Sequence, residues 1–308
     1  MTSKHNHAED LKAEARRLGF THVGIARAES LATEGARLET WLANGFAGTM
    51  GWMARRAQER MDPGRVLPGV RSVIVVAMNY YTGAQHPAGE GKVSRYAWGD
   101  DYHDVMGPRL AELCRWLAER VPGSSSRWYV DTGPVLEKAW AQRAGIGWLG
   151  KHATVITTDH GSWVFLGVVL TTAAFEPDEA AVDRCGTCTR CIEACPTAAI
   201  VEPYVVDARR CIAYLTIEHR GALPAEFEHR LEGWIFGCDI CQDVCPWNTK
   251  HSTETSEPAF QPREGMVQPD TAMLMDLDDT AFNKRFQGSP LQRTGIEGLR
   301  RNISAQKS

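Results

Sequence analysis

The stretch that decides the fold of this chain runs from Cys185 to Pro196 and reads CGTCTRCIEACP. Its cysteines follow the spacing C-x2-C-x2-C-x3-C-P, which is the bacterial pattern for binding [4Fe–4S] clusters. A second group, again followed by a proline, consists of Cys238, Cys241 and Cys245. Cys211 stands alone between the two groups and can supply the missing eighth ligand. The pattern predicts a protein that moves electrons one at a time through two clusters.

The same spacing predicts which cysteines share a cluster. Three thiolates on a tight loop bind three irons of one cube, and the fourth cysteine, three residues on, binds the other cube. One cluster is therefore expected on Cys185, Cys188, Cys191 and Cys245. The other is expected on Cys195, Cys211, Cys238 and Cys241. The long gap between Cys211 and Cys238 indicates an insertion between the ligands of this second cluster.

Two alternatives for the cysteines stay open on spacing alone. Paired zinc sites also use C-x2-C elements, although the C-x3-C-P endings fit zinc poorly. A disulfide framework is the weaker alternative, because no secretory segment is visible and a chain of 308 residues does not need such cross-links. The ninth cysteine, Cys114, lies in an apolar helical stretch and is interpreted as a core thiol.

Composition and charge are ordinary for a globular protein. The length allows two domains, and 43% hydrophobic with 23% charged residues is typical of a packed chain. The net charge of −4 provides no overall field that attracts nucleic acid. No stretch approaches the roughly 20 apolar residues of a membrane span. The Arg16-Arg17 pair has no hydrophobic signal region after it, so we expect a cytoplasmic protein without membrane contact.

The last part of the chain differs in charge from the rest. Residues 281–308 contain Glu297 as their one acidic residue. Their basic residues are Lys284, Arg285, Arg293, Arg300, Arg301 and Lys307. On charge alone, a solvated terminal helix is the simpler interpretation of this basic segment.

Hydrophobic periodicity predicts an α/β region over residues 1–175. Helices are expected over 8–18, 31–42, 51–60 and 108–120, and strands over 22–26, 73–78 and 128–130. The continuous run from Val73 to Met78 is typical of a strand buried on both faces. Pro134 suits the first position of a further helix. Residues 153–157 and 163–171 are expected to pair as strands across a turn at 159–161. A ferredoxin-like two-cluster domain over 176–255 and a helical segment over 256–308 complete the predicted α+β/α/β architecture.

Asp131 is the candidate catalytic residue. It lies where a predicted strand ends and a helix begins, and α/β folds bind ligands in that crevice. The helix end would favour the anionic form of Asp131, whereas burial beside an apolar cofactor would keep it protonated. A protonated acid at this position could donate a proton to a reduced substrate. On position alone, a capping or turn aspartate is the simpler interpretation.

Several separated motifs resemble those of the epoxyqueuosine reductase family. They are Val130–Lys138, Gly145–Lys151, Gly161–Trp163, Cys211–Glu218 and the two cysteine groups. The resemblance covers almost the whole chain and implies a cobalamin-binding catalytic domain over 1–175 followed by the two [4Fe–4S] clusters. It implies an oxidoreductase that converts the epoxide of epoxyqueuosine to the alkene of queuosine at the wobble position of tRNA anticodons. This is the last step of queuosine biosynthesis.

The resemblance also implies roles for single residues. The family's proton donor falls on Asp131, and a basic residue near the corrin falls on Lys138. Further corrin contacts are expected, by position in matching stretches, at Arg60, Tyr102, Lys151 and His152. The family binds base-off cobalamin without a histidine ligand. This chain agrees, because the D-x-H-x-x-G signature is absent and the glycine after Asp101-x-His103 comes one residue late.

The implied partners are tRNA and an external electron donor of the flavodoxin or ferredoxin type. The chain ends at Ser308 without the helical-repeat extension of many family members, so it resembles the short form. The basic segment is then expected to contact tRNA phosphates through Arg293, Arg300 and Arg301. An extruded anticodon base would be recognised by stacking and edge contacts. We also expect a monomer, with residues 216–236 of the insertion directed toward the cofactor or the RNA.

The chemistry fits this assignment, because opening an epoxide to an alkene takes two electrons and two protons. The clusters deliver electrons singly, cobalt can be made strongly reducing, and Asp131 would protonate the departing oxygen. Electrons are expected to pass from a solvent-side cluster to an inner one and then to the cobalt. The rival interpretations are a reductive dehalogenase-like corrinoid enzyme, a plain electron-transfer module and a corrinoid reductive activator. Dehalogenases of that kind are exported and use a tyrosine as proton donor, whereas this chain has Asp131.

Overall fold

The structure is a computed structural model that describes residues 2–86, 88–89 and 91–306, with side chains from residue 7 onward. Its strands are β1 (His22–Arg27), β2 (Ser72–Asn79), β3 (Lys92–Val93), β4 (Ser126–Tyr129), β5 (Trp148–Leu149), β6 (Val155–Ile156), β7 (Val164–Thr171), β8 (Ile200–Glu202), β9 (Val205–Val206) and β10 (Trp234–Phe236). The first half contains the helices α1 (Thr2–Arg17), α2 (Ala32–Ala43), α3 (Gly51–Arg55), α4 (Ala57–Met61), α5 (Pro63–Val66), α6 (Tyr102–Arg120) and α7 (Glu137–Arg143). The second half contains α8 (Arg190–Glu193), α9 (Ile212–Ile217), α10 (Ile240–Asp243), α11 (Pro246–His251), α12 (Thr271–Asp276), α13 (Asp279–Arg285) and α14 (Gly295–Ser304). Among the described residues, none of these helices is both long and apolar enough to cross a lipid bilayer.

The centre of the first half is a four-stranded antiparallel sheet in the order β1-β2-β7-β4. Every residue of β2 is buried, which confirms the prediction of a strand covered on both faces. Ile74 and Met78 pack on one face against residues of α1 and α6. Val73 and Val75 pack on the other face with residues of α7. The alternation follows from the period of two along a strand.

Two predicted helix starts are wrong. Helix α6 begins at Tyr102 rather than at 108, because the Asp101 carboxylate accepts the His103 backbone N–H at 3.0 Å and caps the helix earlier. Helix α7 begins at Glu137 rather than at Pro134. The Arg60 guanidinium explains the delay, since it donates to the carbonyl oxygens of residues 133 and 135 at 3.0 and 3.3 Å and holds this segment out of the helix.

The predicted pairing of residues 153–157 with 163–171 is also wrong. Strand β6 pairs with β5, and only an isolated bridge between Thr157 and Gly161 closes the predicted turn. Strand β7 lies instead between β2 and β4. Its apolar residues are largely buried there, and pairing along both edges satisfies its backbone in a way that a two-residue partner could not.

The cysteine-rich half is joined to the sheet region by strand β10. Strand β10 pairs in parallel with β3, and the two-stranded unit β8-β9 lies between the cysteine groups in sequence. The insertion after Cys211 forms its own small core, in which Leu223, Phe227 and Leu231 pack against residues of α9. Much of the insertion therefore stabilises the cysteine-bearing chain itself.

The C-terminal segment is helical, as predicted, and it packs onto the rest of the chain. Leu299 and Ile303 of α14 share a core with Ile235, Phe236 and Trp98. The Asn302 amide donates to the backbone oxygens of Thr216 and Ile235, both at 2.8 Å. These contacts fix α14 against the insertion and the β3-β10 pair.

Candidate active site and metal centres

Four cysteines from the two sequence groups line one cavity of about 160 Å³. They are Cys185, Cys188, Cys191 and Cys245, the set expected to share a cluster. The loop that carries the first two is braced by Lys151, whose Nζ donates to the oxygens of Gly186 at 2.7 Å and Cys188 at 3.0 Å. The Asp183 carboxylate accepts the Cys185 backbone N–H at 2.7 Å. We call this space the first cysteine cavity.

The other four predicted cluster ligands, Cys195, Cys211, Cys238 and Cys241, also lie near one another. Burial raises the pKa of Cys241 well above its usual value, and the neighbouring Cys211, Cys191 and Cys195 add to the effect in that order. Burial and then Cys241 raise the pKa of Cys238 in the same direction. Mutual repulsion of this kind requires closely spaced sulfurs. We call these four residues the second cysteine set.

The separation of the sulfurs argues against zinc. Thiolates bound to a single zinc ion at about 2.3 Å lie roughly 3.8 Å apart. Across the part of the chain that the structure describes, no group of three metal-binding side chains that includes a cysteine has its ligand atoms within 4.8 Å of one another. The wider spacing fits a cube of iron and sulfide, whose thiolates bind different irons.

Asp131 lies on an exposed turn directly after β4. Its backbone φ of 56° is in the left-handed region, and its side chain is 68% exposed. It does not lie at a helix end, because α7 starts only at Glu137. The prediction that a helix N-terminus would favour its anionic form is therefore wrong. The backbone strain of a non-glycine residue at positive φ is typical of functional sites.

Two side chains of α6 face this aspartate. The His103 Nε2 lies 3.8 Å from the Asp131 Oδ2, and the His103 Nδ1 lies 2.7 Å from the Asp101 Oδ1. Burial alone would lower the pKa of His103, but the two carboxylates together raise it. Burial and then the charge of Asp131 raise the pKa of Tyr102. Asp131, His103 and Tyr102 therefore form a cluster of titratable side chains beside the turn.

A second layer of charged groups lies beside Asp131 on α7 and α4. Burial, with the charge of Asp131, raises the pKa of Glu137 to about 8, although Arg60 and Lys138 oppose the shift. Burial lowers the pKa of Lys138 despite the attraction of Asp131 and Glu137. The Lys138 Nζ donates to the Ala153 backbone oxygen at 2.7 Å, and its side chain keeps solvent exposure, so it lies in an open cleft within the protein.

Some buried polar atoms of this cleft lack a partner. Among the described residues, the Glu137 Oε1 and the Arg60 Nε accept or donate no hydrogen bond. Buried polar atoms are normally satisfied, and those that are not indicate a ligand or an ordered water. Such atoms fit the amide-bearing rim of a corrin.

The sequence-predicted residues divide between two places. Arg60, Tyr102 and Lys138 all surround Asp131, as the charges acting on them indicate. Lys151 and His152, also expected at the corrin, line the first cysteine cavity. The turn that carries them folds over the loop of the first two cysteines. Burial, with the charge of Lys138, lowers the pKa of His152 to about 4, so this imidazole is neutral at ordinary pH.

Sequence reasoning missed Glu137 and His103 as members of the site. Glu137 precedes Lys138 within the stretch that carries the family resemblance, and this position beside a predicted site residue is what could have indicated its role. In the sequence, His103 stands out only as part of an incomplete cobalamin signature. Its distance from Asp131 depends on how α6 packs beside β4, which no local pattern encodes.

The C-terminal arginines are largely engaged within the protein. Arg301 donates to the backbone oxygens of Leu215, His219 and Gly221 at 2.7 to 2.9 Å, which is a structural role. Arg293 forms a two-pronged pair with Glu218 at 2.8 and 2.9 Å.

Arg300 donates to the Leu277 oxygen at 2.6 Å and keeps 36% side-chain exposure. The contacts of Arg301 leave it least able to reach a phosphate. Lys307 lies outside the described residues.

Comparisons with known proteins agree with this geometry. A model of the family "4Fe-4S double cluster binding domain" matches residues 184–248, and a model named "Epoxyqueuosine reductase QueG" matches residues 60–132. An epoxyqueuosine reductase of Gloeobacter violaceus is 51% identical over 301 residues, which cover 96% of this chain and 94% of that protein. One from Cellulophaga algicola is 43% identical, with 100% of both chains covered.

Solved structures give the same result at the level of the fold. An epoxyqueuosine reductase bound to an epoxyqueuosine-modified tRNA-Tyr stem loop superposes with a TM-score of 0.90 at 30% identity, covering 98% of this chain and 80% of that chain. The Bacillus subtilis enzyme superposes with a TM-score of 0.89 at 29% identity, covering 98% and 81%. That structure is described as having its catalytic aspartate loop swung out of the active site.

Proposed function

The chain belongs to the epoxyqueuosine reductase family, and from this membership we propose that it reduces epoxyqueuosine in tRNA to queuosine, with Asp131 as the proton donor. The proposal rests on the residues that surround Asp131. His103, Glu137 and Lys138 lie around it, and the charges of Cys211 and Cys241 act on Lys138. The catalytic turn and the second cysteine set are therefore neighbours.

The cofactors are two [4Fe–4S] clusters and base-off cobalamin. When bound, cobalamin supplies a strongly reducing metal centre, and the clusters supply its electrons one at a time. The first cysteine cavity and the second cysteine set would hold the clusters. Arg60, Tyr102, Glu137 and Lys138 would hold the corrin, a role supported by the unpartnered Arg60 and Glu137 atoms.

Asp131 would supply the proton that the epoxide oxygen needs as the ring opens. Its exposed side chain can reach a substrate in the cleft, and His103 stands 3.8 Å behind it to return a proton. The pKa of His103 is raised, so this imidazole carries a proton over a wider range of pH than an isolated one. Lys138, held by the Ala153 oxygen, stabilises negative charge in the same cleft.

The position of the two cysteine groups supports an order of electron transfer. The first cysteine cavity opens beside Lys151 and Arg184. The second cysteine set acts electrostatically on Lys138. The first cysteine cavity would hold the cluster that accepts electrons from a flavodoxin- or ferredoxin-type donor, and the second cysteine set would hold the cluster that supplies them near Lys138.

The substrate is a tRNA, as in the solved relative that holds a modified stem loop. Of the three arginines predicted to contact tRNA, Arg293 and Arg300 keep side chains exposed enough to meet phosphates, at 55% and 36%. We place the enzyme in the cytoplasm, where its tRNA substrate is made, and expect it to act as a monomer. Membership of the epoxyqueuosine reductase family removes the support for the rival interpretations, which were a dehalogenase, an electron carrier and a reductive activator.

The proposal is tested by mass spectrometry of tRNA nucleosides from cells that lack this protein. We expect epoxyqueuosine to accumulate and queuosine to disappear, with wild-type protein restoring queuosine. A matched strain that carries Asp131→Asn should keep accumulating epoxyqueuosine. Normal queuosine in the deletion strain would reject the proposed function.

A further inference from the structure

A group of metal-binding side chains without any cysteine lies at the edge of the central sheet. It consists of His22 on the edge strand β1, and Asp159 and His160 on the turn after β6. One ligand atom from each residue, two imidazole nitrogens and a carboxylate oxygen, lies within 4.8 Å of the others. The reduction of epoxyqueuosine uses none of these residues.

The separations suit a single metal ion. The His22 Nε2 lies 2.8 Å from the Asp159 Oδ1, and the His160 Nδ1 lies 3.3 Å from the same oxygen. If an ion lay about 2.1 Å from each atom, the angle at the ion between the His22 Nε2 and the Asp159 Oδ1 would be roughly 85°. The angle between the Asp159 Oδ1 and the His160 Nδ1 would be roughly 105°. Both angles are within the range of octahedral and tetrahedral coordination.

Each imidazole presents a nitrogen suited to this role. The Thr21 hydroxyl donates to the Ala77 oxygen at 3.0 Å, so its oxygen can accept the Nδ1–H of His22 at 3.1 Å. Without a metal, the His22 Nε2 donates to the Asp159 Oδ1 at 2.8 Å. A metal ion that displaces this proton would meet the Nε2 lone pair while Thr21 holds the Nδ1–H, and such a partner on the far nitrogen is usual for metal-binding histidines. The His160 Nδ1 is buried and has no hydrogen-bond partner among the described residues.

The turn that carries two of these residues is held in place without a metal. The Thr157 backbone N–H donates to the Gly161 oxygen at 2.7 Å, and its hydroxyl accepts the His160 N–H at 3.1 Å. On its other side, the Ser162 N–H donates to Asn248, three residues after Cys245, at 2.6 Å. The site is therefore preorganised and links β1 to the helix that follows the last cysteine.

We propose that His22, Asp159 and His160 form a zinc site that fixes the 157–161 turn to the edge strand β1. Two imidazoles and one carboxylate are a donor set that zinc accepts readily. Asp159 keeps 58% side-chain exposure, so water completes the coordination from the solvent side. Because the ion joins two segments distant in sequence, it stabilises the folded chain by mass action.

The test uses protein with both clusters loaded, so that the cysteines are occupied by iron. Zinc is added, unbound metal is removed, and zinc and iron per chain are measured together, with the affinity determined by calorimetry. We expect one zinc per chain with unchanged iron, and an anomalous difference peak at the zinc edge between the three side chains in crystals. His160→Ala should weaken zinc binding at least about 100-fold and abolish the zinc-dependent rise in the thermal midpoint.

Asp159→Asn and His7→Ala complete the design. Asp159→Asn keeps the shape of the side chain and should still weaken zinc binding, whereas His7→Ala removes an exposed histidine outside the site and should leave binding unchanged. The proposal is overturned if wild-type protein binds no stoichiometric zinc, if His160→Ala binds it equally well, or if the anomalous peak lies at the cysteines. Any of these results would make the three residues a hydrogen-bonded cluster only.

Discussion

Arg95 and Asp239 form a buried ion pair between the sheet region and the second cysteine set. The Arg95 Nη1 lies 3.2 Å from the Asp239 Oδ2, with side chains 4% and 0% exposed. Asp239 also accepts the Arg95 backbone N–H at 2.8 Å and the Ser94 hydroxyl. Since Asp239 follows Cys238 directly, this pair sets the position of a cysteine loop relative to the chain that precedes it.

Removing Arg95 should strongly destabilise the protein. Arg95→Met removes the guanidinium from buried Asp239, which keeps His86 at 3.2 Å, and from Asp243 at 2.6 Å. The free energy of unfolding should therefore fall by about 3 kcal/mol. Anaerobic denaturant titration of the cluster-loaded protein, with iron content measured in parallel, would show this. Arg56→Met is the matched control, since its pair with Glu59 is exposed and should contribute less than about 1 kcal/mol. Equal effects of the two variants would contradict the role given to the buried pair.

Asp131→Asn should abolish most of the activity without loss of cofactors. The amide keeps the size of the side chain but cannot supply the proton, so kcat should fall by about 10²- to 10⁴-fold. Single-turnover assays on modified tRNA, together with absorbance spectra for bound cobalamin, separate chemistry from binding. Asp104→Asn, on the exposed side of α6, should behave as wild type. Full activity of Asp131→Asn would remove the catalytic assignment.

Glu137 should make the stability of the cobalamin-free protein depend on pH. Its folded-state pKa of about 8 lies above the ordinary value of 4.5, so the folded chain binds a proton that the unfolded chain releases. The associated stability is complete below pH 4.5 and is lost as the pH rises through about 8. Denaturation at pH 5 and pH 8 should show a smaller loss for Glu137→Gln than for wild type. The same slope in both proteins would disprove the shift.

Which cluster an alanine variant of a cysteine loses should depend on the cysteines that lie near it in the structure, and not on its sequence group. Cys195→Ala should lose the same cluster as Cys238→Ala, and Cys191→Ala the same cluster as Cys245→Ala. In each case iron should fall from roughly eight to roughly four per chain, and electron paramagnetic resonance of the reduced protein should identify the cluster that remains. Cys114→Ala, outside both sets, should retain both clusters. A shared phenotype of Cys191→Ala and Cys195→Ala alone would mean that each sequence group binds its own cluster.

The C-terminal arginines should separate into binding and structural residues. Arg293→Ala and Arg300→Ala should each weaken tRNA binding and reduce its salt dependence by about one phosphate contact. Arg301→Ala should instead lower the thermal midpoint, because it leaves partly buried carbonyl oxygens without a donor. Binding measured across a range of salt concentrations distinguishes the two outcomes. If Arg301→Ala alone changed the salt dependence, the assignment would be reversed.

Much of the first half of the fold was predictable because the buried faces of helices and strands give apolar residues a regular spacing in the sequence. The run from Val73 to Met78 identified β2, and the structure buries it completely. The predicted partner of β7 was wrong, because a pairing between residues 72 and 171 depends on competition among all strands of the chain. The start of α7 depended in the same way on Arg60, which is distant in sequence.

By itself, the sequence determined the chemical nature of the metal centres and the family, because cysteine spacing along a short loop is a local property. It also identified Asp131 as the acid at the end of a strand. Only the tertiary structure decided which groups surround that acid, bringing His103 and Glu137 to it and directing Lys151 and His152 to the first cysteine cavity. These positions depend on packing between segments that are distant in sequence, and burial and charge in that packing shift each pKa. The spacing of residues along the chain does not predict them.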